Sequence, residues 1–283
     1  MIDRKVFIHT NNKQLLGALL AKYAIEKTAS RPIAVEIINI DELEIFKEFA
    51  GKKYMRNGEL RVYAPKDLQS FTISRFMPPE LMGFEGRAIV IDPDIFALTD
   101  IHDLFDINME GKAIACCRKN EGWDTSVMLL DCDKLKHWKI KDILGRLANK
   151  KLDYTDLFAL KKEDAESMIV EIPRIWNSLD ALTPETKMLH TTNRLTQPWK
   201  TGLPIDFTRN KMPKLFGLIP REPVHKLLGK YPTHYQPHPD KKIEKFFIDL
   251  LKEAIASGSV SKNLISEEIK ARHIREDLVR LIG

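Results

Sequence analysis

The chain has 283 residues, enough for one large domain or two modest ones with a substantial core, and too many for a small disulfide-stapled scaffold. Hydrophobic residues make up 43% and charged residues 30%, which excludes bulk disorder. Forty-five Lys and Arg against forty Asp and Glu leave +5, with signs alternating along the chain; this argues against a nucleic-acid partner and leaves room for an anionic ligand. The opening residues lack the apolar stretch and cleavage site of a secretory signal, and no apolar run approaches the ~20 residues of a membrane span. The expected location is therefore the cytoplasm, or peripheral to the inner face of a membrane. Cys116, Cys117 and Cys132 fit neither CxxC nor a zinc spacing and read as reduced core thiols.

Val6 to His9 is a short apolar run, Thr10 to Lys13 is polar, and from Leu15 to Ala24 apolar residues recur at helical spacing. Together with the β-branched segment Pro32 to Ile40 this predicts a β-α-β unit, with its ligands outside the carboxyl ends of the strands. Thr10, Asn11 and Asn12 are the first polar group so placed. Residues 41–70 are mixed and charged, and Gly86 to Ile91 reads as a buried strand ending in Asp92-Pro93-Asp94. Further strands are expected at Lys112 to Cys117 and Ser126 to Leu130, with Glu121 to Thr125 as the turn between them. Helices are expected at Lys141 to Leu147 and Lys161 to Met168, then an irregular stretch from Ile172 to Asn177. The α/β core is expected to span 1–200. A loop-rich connection from Thr201 to Asp240 and amphipathic helices at Lys241 to Ala256 and Glu267 to Leu281 would fill 201–283, packed on the core. No GxxxxGK[ST], GxGxxG or GxSxG motif occurs, which lowers the odds of P-loop, dinucleotide and serine-hydrolase chemistry.

Two carboxylates at i and i+2 in a strand-ending turn, stiffened by Pro93, form half a cage for a hard divalent ion; found alone, such a motif more often just shapes a turn. Mg²⁺ or Mn²⁺ completes its shell with water and phosphate oxygens, so two protein carboxylates suffice to hold a diphosphate.

In context, several segments resemble the GT-A fold glycosyltransferases, near the retaining, glycogenin-like branch (family 8-like) and its uncharacterised bacterial relatives. These are Arg75-Phe76 with Pro78-Pro79-Glu80-Leu81; Gly86 to Asp94 as strand plus DxD; Ser126 to Cys132; Ile172 to Leu179; and His190 to Asn193 with Gln197-Pro198-Trp199. The resemblance covers most of residues 5–200 and implies a Rossmann-like mixed sheet flanked by helices, with a helical C-terminal extension. It further implies a metal-dependent hexosyltransferase, with Mn²⁺ or Mg²⁺ on Asp92, Asp94 and His190. The donor would be a nucleotide diphosphate sugar, a UDP-sugar in the first place, held by Thr10, Asn11, Asn12, Arg75, Asp92, Asp94 and Lys200. Asp94, Arg75 and Lys200 would carry the catalytic charge. The acceptor would be a carbohydrate, lipid or protein hydroxyl, transfer would retain the anomeric configuration, and a homo-oligomer is compatible.

Departures from the pattern define the alternatives. Asn11 stands where an acidic residue is usual beside the base, Gln197 where a lysine precedes Pro-Trp, and Trp123 to Ser126 lack the Asn and Gly usual before Val-Met-Leu. A non-catalytic nucleotide- or sugar-binding module on the same fold is the first alternative. A metal-dependent phosphoesterase, needing a further ligand cluster, is the second.

Overall fold

The computed structural model describes residues 3–161, 165–207 and 232–283. They form two compact units, Met1–Lys66 with Ser70–His190, and Asp67–Gln69 with Thr191–Gly283.

The first unit is built on a six-stranded mixed sheet. Its first strand, β1 (Arg4–Thr10), carries the run Val6-Phe7-Ile8, which has no exposure on either face and so needs neighbours on both sides. Helix α1 (Leu15–Thr28) returns the chain to β2 (Ala34–Asn39), parallel to β1 from Lys5↔Ala34 to Thr10↔Asn39. Residues 41–70, unassigned from sequence, contain a two-stranded antiparallel hairpin, β3 (Lys53–Arg56) and β4 (Glu59–Val62). Strand β5 (Arg87–Ile91) lies parallel to β1 on its other side, and β6 (Ile95–Ala97) follows it directly. The turn into β5 requires glycine: Gly86 has φ +70°, and a Cβ there would lie 2.6 Å from the Asp3 carbonyl oxygen.

Strands β7 (Ile114–Arg118) and β8 (Trp123–Asp131) form an antiparallel pair, with β8 also antiparallel to β5. Strand β8 is longer than its apolar run predicts. Trp123, Asp124 and Thr125, expected in a turn, belong to the strand because Gly122 at φ +76° completes the reversal before them. The ladder is not uniform: Cys116 pairs with Met128 but Cys117 with Asp124, so residues 125–127 bulge from the β7 side. Strand β9 (Ile169–Glu171) adds parallel to β7, giving the order β2-β1-β5-β8-β7-β9. A second sheet places β10 (Ser178–Leu179) beside β11 (Met188–His190), and β11 antiparallel to β6 with His190 opposite Ile95. The predicted helix at Lys141–Leu147 is present as Ile140–Ala148. Of the helix predicted over Lys161–Met168, Ala165–Met168 is helical and 162–164 lie outside the described residues. The three cysteines are free and buried, and burial pushes the Cys117 and Cys132 thiols up to about 12.

In the second unit, α2 (Lys241–Ala256) is capped by the Asp240 side chain, which accepts from the Lys242 N–H. Ile243, Phe247, Leu250, Leu251 and Ala254 line its buried face. The single helix expected over Glu267–Leu281 is instead two, α3 (Lys262–Lys270) and α4 (Leu278–Ile282). The periodicity misled because Arg272 takes φ +59° and ends α3, while apolar spacing resumes in phase beyond it. Part of the loop-rich stretch, 208–231, lies outside the described residues. Among the described residues no helix is long and apolar enough to cross a membrane.

Candidate metal centre

Strands β1, β5, β8, β7 and β9 bring one group of chain ends to one edge of the main sheet. β1 and β5 are parallel, so Thr10 and Asp92 follow at the same end; β8 is antiparallel to β5 and begins there with Trp123 and Asp124; β7 and β9 end there at Arg118 and Glu171. In sheets of this kind ligands lie outside the carboxyl ends of the parallel strands.

Asp92 and Asp94 stand just past β5, and His190 ends β11 of the second sheet, held against β6 by the Ile95 pairing. One ligand atom from each of the three lies within 4.8 Å of the others, a cluster that could hold a metal ion. His190 Nε2 is 3.5 Å from Asp94 Oδ1, while its other nitrogen, Nδ1, is 2.8 Å from Oδ1 of the buried Asn177. With Nδ1–H donating to Asn177, the lone pair sits on Nε2, the nitrogen that faces the carboxylates; a second group orienting a histidine in this way is the usual support of a metal ligand. Two carboxylates and an imidazole suit Mn²⁺ or Mg²⁺ in donor type, three protein ligands being fewer than the about six such an ion takes. Burial alone would lower the His190 pKa, but the carboxylates of Asp94, Asp92 and Asp124 together raise it above its ordinary value.

Asp92 is further held by two hydrogen-bond donors. His9 Nε2–H donates to Oδ1 at 2.6 Å, and Arg75 Nη2 donates to the same oxygen. Arg75 is buried, donates from Nη1 to Thr125 Oγ1 at 2.7 Å, and packs its guanidinium 4.9 Å from the Phe158 ring centroid. Burial would raise the Asp92 carboxyl, but the Arg75 charge and then the His9 hydrogen bond hold it well below the usual carboxylate range. His9 itself is pushed down, chiefly by complete burial against which the Asp92 contact only partly acts.

The residues after β1 form a separate polar corner. Thr10 and Asn11 are fully buried; Thr10 Oγ1 donates to the Asn11 carbonyl and Asn11 Nδ2 to Ser70 Oγ at 3.0 Å. The Asn12 N–H donates to Asp41 Oδ2 at 2.8 Å, and its side-chain oxygen accepts from Asn39 at 2.8 Å. Asp41, just past β2, thus brings a carboxylate to this corner. Lys200 belongs to the second unit, where it is fully buried, donates to the His273 carbonyl at 3.2 Å and lies 3.7 Å from Asp206.

His9, Asn177 and Asp124 were not singled out from sequence as site residues. His9 had a readable signal, a histidine closing a buried strand at the ligand edge. Asn177 stands inside the resembling segment Ile172 to Leu179 but with no role assigned to it, since its role depends on an irregular turn, and Asp124, expected in a turn, has no role from sequence because the extension of β8 was not expected.

No protein-family profile matches the chain. The protein CDI of Arabidopsis thaliana is 26% identical over 198 residues, 62% of this chain and 69% of that one. Among solved structures, the glycosyltransferase GlyE of Streptococcus pneumoniae TIGR4 is similar with a TM-score of 0.50 and 14% identity, covering 84% of this chain and 66% of its own. The bifunctional glycosyltransferase WbbM is similar at 0.50 and 11%, covering 70% and 47%. The chain therefore spans less than two thirds of either glycosyltransferase, and at these identities the likeness shows the fold: it is the GT-A glycosyltransferase fold that the sequence resemblance implies.

Proposed function

We propose that the protein is a metal-dependent glycosyltransferase that moves a sugar from a nucleotide diphosphate sugar to an acceptor hydroxyl. The observation that carries this reading is the Asp92, Asp94 and His190 cluster at the carboxyl edge of a GT-A sheet. In the reaction the bond from the anomeric carbon to the diphosphate oxygen breaks, a bond to the acceptor oxygen forms, and the acceptor proton leaves with the diphosphate. A divalent cation, Mn²⁺ or Mg²⁺, neutralises the diphosphate when bound.

The chain's own residues prepare that centre. Arg75 and His9 fix Asp92 in its ionised form, and Asn177 fixes the His190 tautomer. Arg75 thus acts through Asp92. Thr10, Asn11 and Asn12, with Asp41 behind them, are the proposed base side of a UDP-sugar site, and transfer with retention follows from the branch resembled. The proposed place of action is the cytoplasm. The phosphoesterase alternative lacks support, since among the described residues there is no second ligand cluster.

The test is calorimetric titration of UDP, other nucleoside diphosphates and their sugar conjugates, with Mn²⁺ or with EDTA. One nucleotide is expected to bind only with metal, and Asp94→Ala is expected to abolish that binding. Asn177→Leu is expected to weaken Mn²⁺ binding, followed by electron paramagnetic resonance, by about 10–100-fold. Absence of nucleotide binding by the folded protein overturns the reading, and metal-dependent binding without transfer to any acceptor identifies the binding module.

A further inference from the structure

A cavity of about 830 Å³, within the usual range for small-molecule sites, opens between the β7–β8 turn and the segment after β9. Arg118, Lys119 and Arg174 line it on one side, and Ile175 and Leu179 give it an apolar flank. We propose that this groove is the acceptor subsite and that the acceptor it takes is a small anionic saccharide bearing a carboxylate or a phosphate. The proposal rests on the transferase reading above.

Three observations carry it. The first is place. Arg118 ends β7, and Arg174 follows β9, at the same sheet edge as Asp92, separated from β5 by β8 and β7. With neighbouring strands about 4.8 Å apart, the groove stands about 10–15 Å from the end of β5, a distance of one or two sugar rings.

The second is the wall between them. Asp124, on the intervening β8, is 2% exposed, and its two oxygens meet Lys119 at 3.3 Å and Arg174 at 2.8 Å. Asp124 stands on β8, between β5 and β7 in the sheet, so its carboxylate walls the groove on the side toward the candidate metal centre.

The third is charge. Two cations share the one Asp124 carboxylate, which leaves positive charge in excess, and Arg118 lines the same groove from its place over the Trp123 ring. Glu121, the acidic residue on the groove wall, is already faced by Lys161 at 3.5 Å. The Lys119 and Arg174 side chains remain 51% and 41% exposed, so both can reach a ligand without leaving Asp124. An anion on the ligand completes the neutralisation, and the Ile175 and Leu179 flank suits the apolar face of a sugar ring.

The test uses the full chain in EDTA, where the metal centre contributes nothing, with calorimetric titration of trigalacturonate, glucose 6-phosphate and the neutral maltotriose. An anionic probe is expected to bind more tightly than maltotriose and to weaken with salt; whichever of the two binds names the anion. The double variant Arg118→Ser with Lys119→Ser, at two exposed positions, is expected to weaken that binding by about tenfold or more, and Arg118→Lys to retain it. Equal binding of maltotriose, or an unchanged affinity in a double variant of normal melting temperature, overturns the proposal. In Mn²⁺ the nucleotide and the anionic probe are expected to bind together, and one-for-one displacement overturns the acceptor role. Failure of the nucleotide to bind at all, with the groove still binding its anion in EDTA, is the separate failure of the transferase reading.

Discussion

Arg75 in the first unit and Lys200 in the second are both buried cations, and they are held in opposite ways. The Arg75 guanidinium forks between Asp92 and Thr125, so it orients a carboxylate of the candidate metal cluster. Lys200 presents a single ammonium to the His273 carbonyl and stands 3.7 Å from an Asp206 that also accepts from Tyr235 at 2.6 Å. A planar fork can fix geometry at two partners where a point charge on a flexible stem cannot, so the first cation is a positioning group and the second is more replaceable in the fold.

The largest effect is expected at Arg75. Arg75→Ala leaves the partly buried Asp92 with His9, among the described residues, as its remaining hydrogen-bonding side-chain partner, and the loss of half a largely desolvated pair costs about 3 kcal/mol, measured by denaturant unfolding. Arg75→Lys should recover part of the stability and little of the metal-dependent nucleotide affinity, since one ammonium cannot hold both Asp92 and Thr125. Lys200→Met should cost less, about 2 kcal/mol or below, because an apolar chain fills the space and the Asp206 carboxylate is a quarter exposed to water. Equal costs for the two variants would break the contrast. A normal melting temperature in Lys200→Met beside a large loss in Arg75→Ala would sharpen it.

The smallest effect is a pH window in the metal-free protein. Because the folded state raises the His190 pKa, its contribution to stability is full below about pH 6.5 and is lost as pH rises through the raised value. His9 has the opposite sign: its pKa is lowered, so stability falls as pH drops below about 6.5 and the buried ring is forced to charge. The melting temperature should therefore peak near neutrality. His190→Gln should remove the alkaline decline and leave the acid one, and the stability so lost is about 1.4 kcal/mol for every tenfold by which folding tightens proton binding at that ring. A decline unchanged in His190→Gln would assign it to other groups.

Much of this architecture was legible because buried parallel strands are written as unbroken apolar runs. Val6-Phe7-Ile8 and Ala88 to Ile91 could be nothing else, and a carboxylate pair directly after the second run marks the ligand edge. The extension of β8 and the break after Lys270 were hidden by the same limit. Backbone reversals made by Gly122 and by Arg272 at positive φ alter where elements begin and end without disturbing the apolar spacing around them. Asn177 escaped for another reason: its partner His190 is thirteen residues away and reaches it through a strand pairing that no local pattern encodes.

The bulge at residues 125–127 sets a parity. Paired residues share a face and neighbours on a strand alternate, so Cys116 and Cys117 require Met128 and Asp124 to face opposite sides although they lie an even number of positions apart. Three surplus residues, an odd number, perform that inversion. The inner part of β8 can then keep register with Ile91 while its outer end is addressed independently, like a reading frame shifted and left shifted.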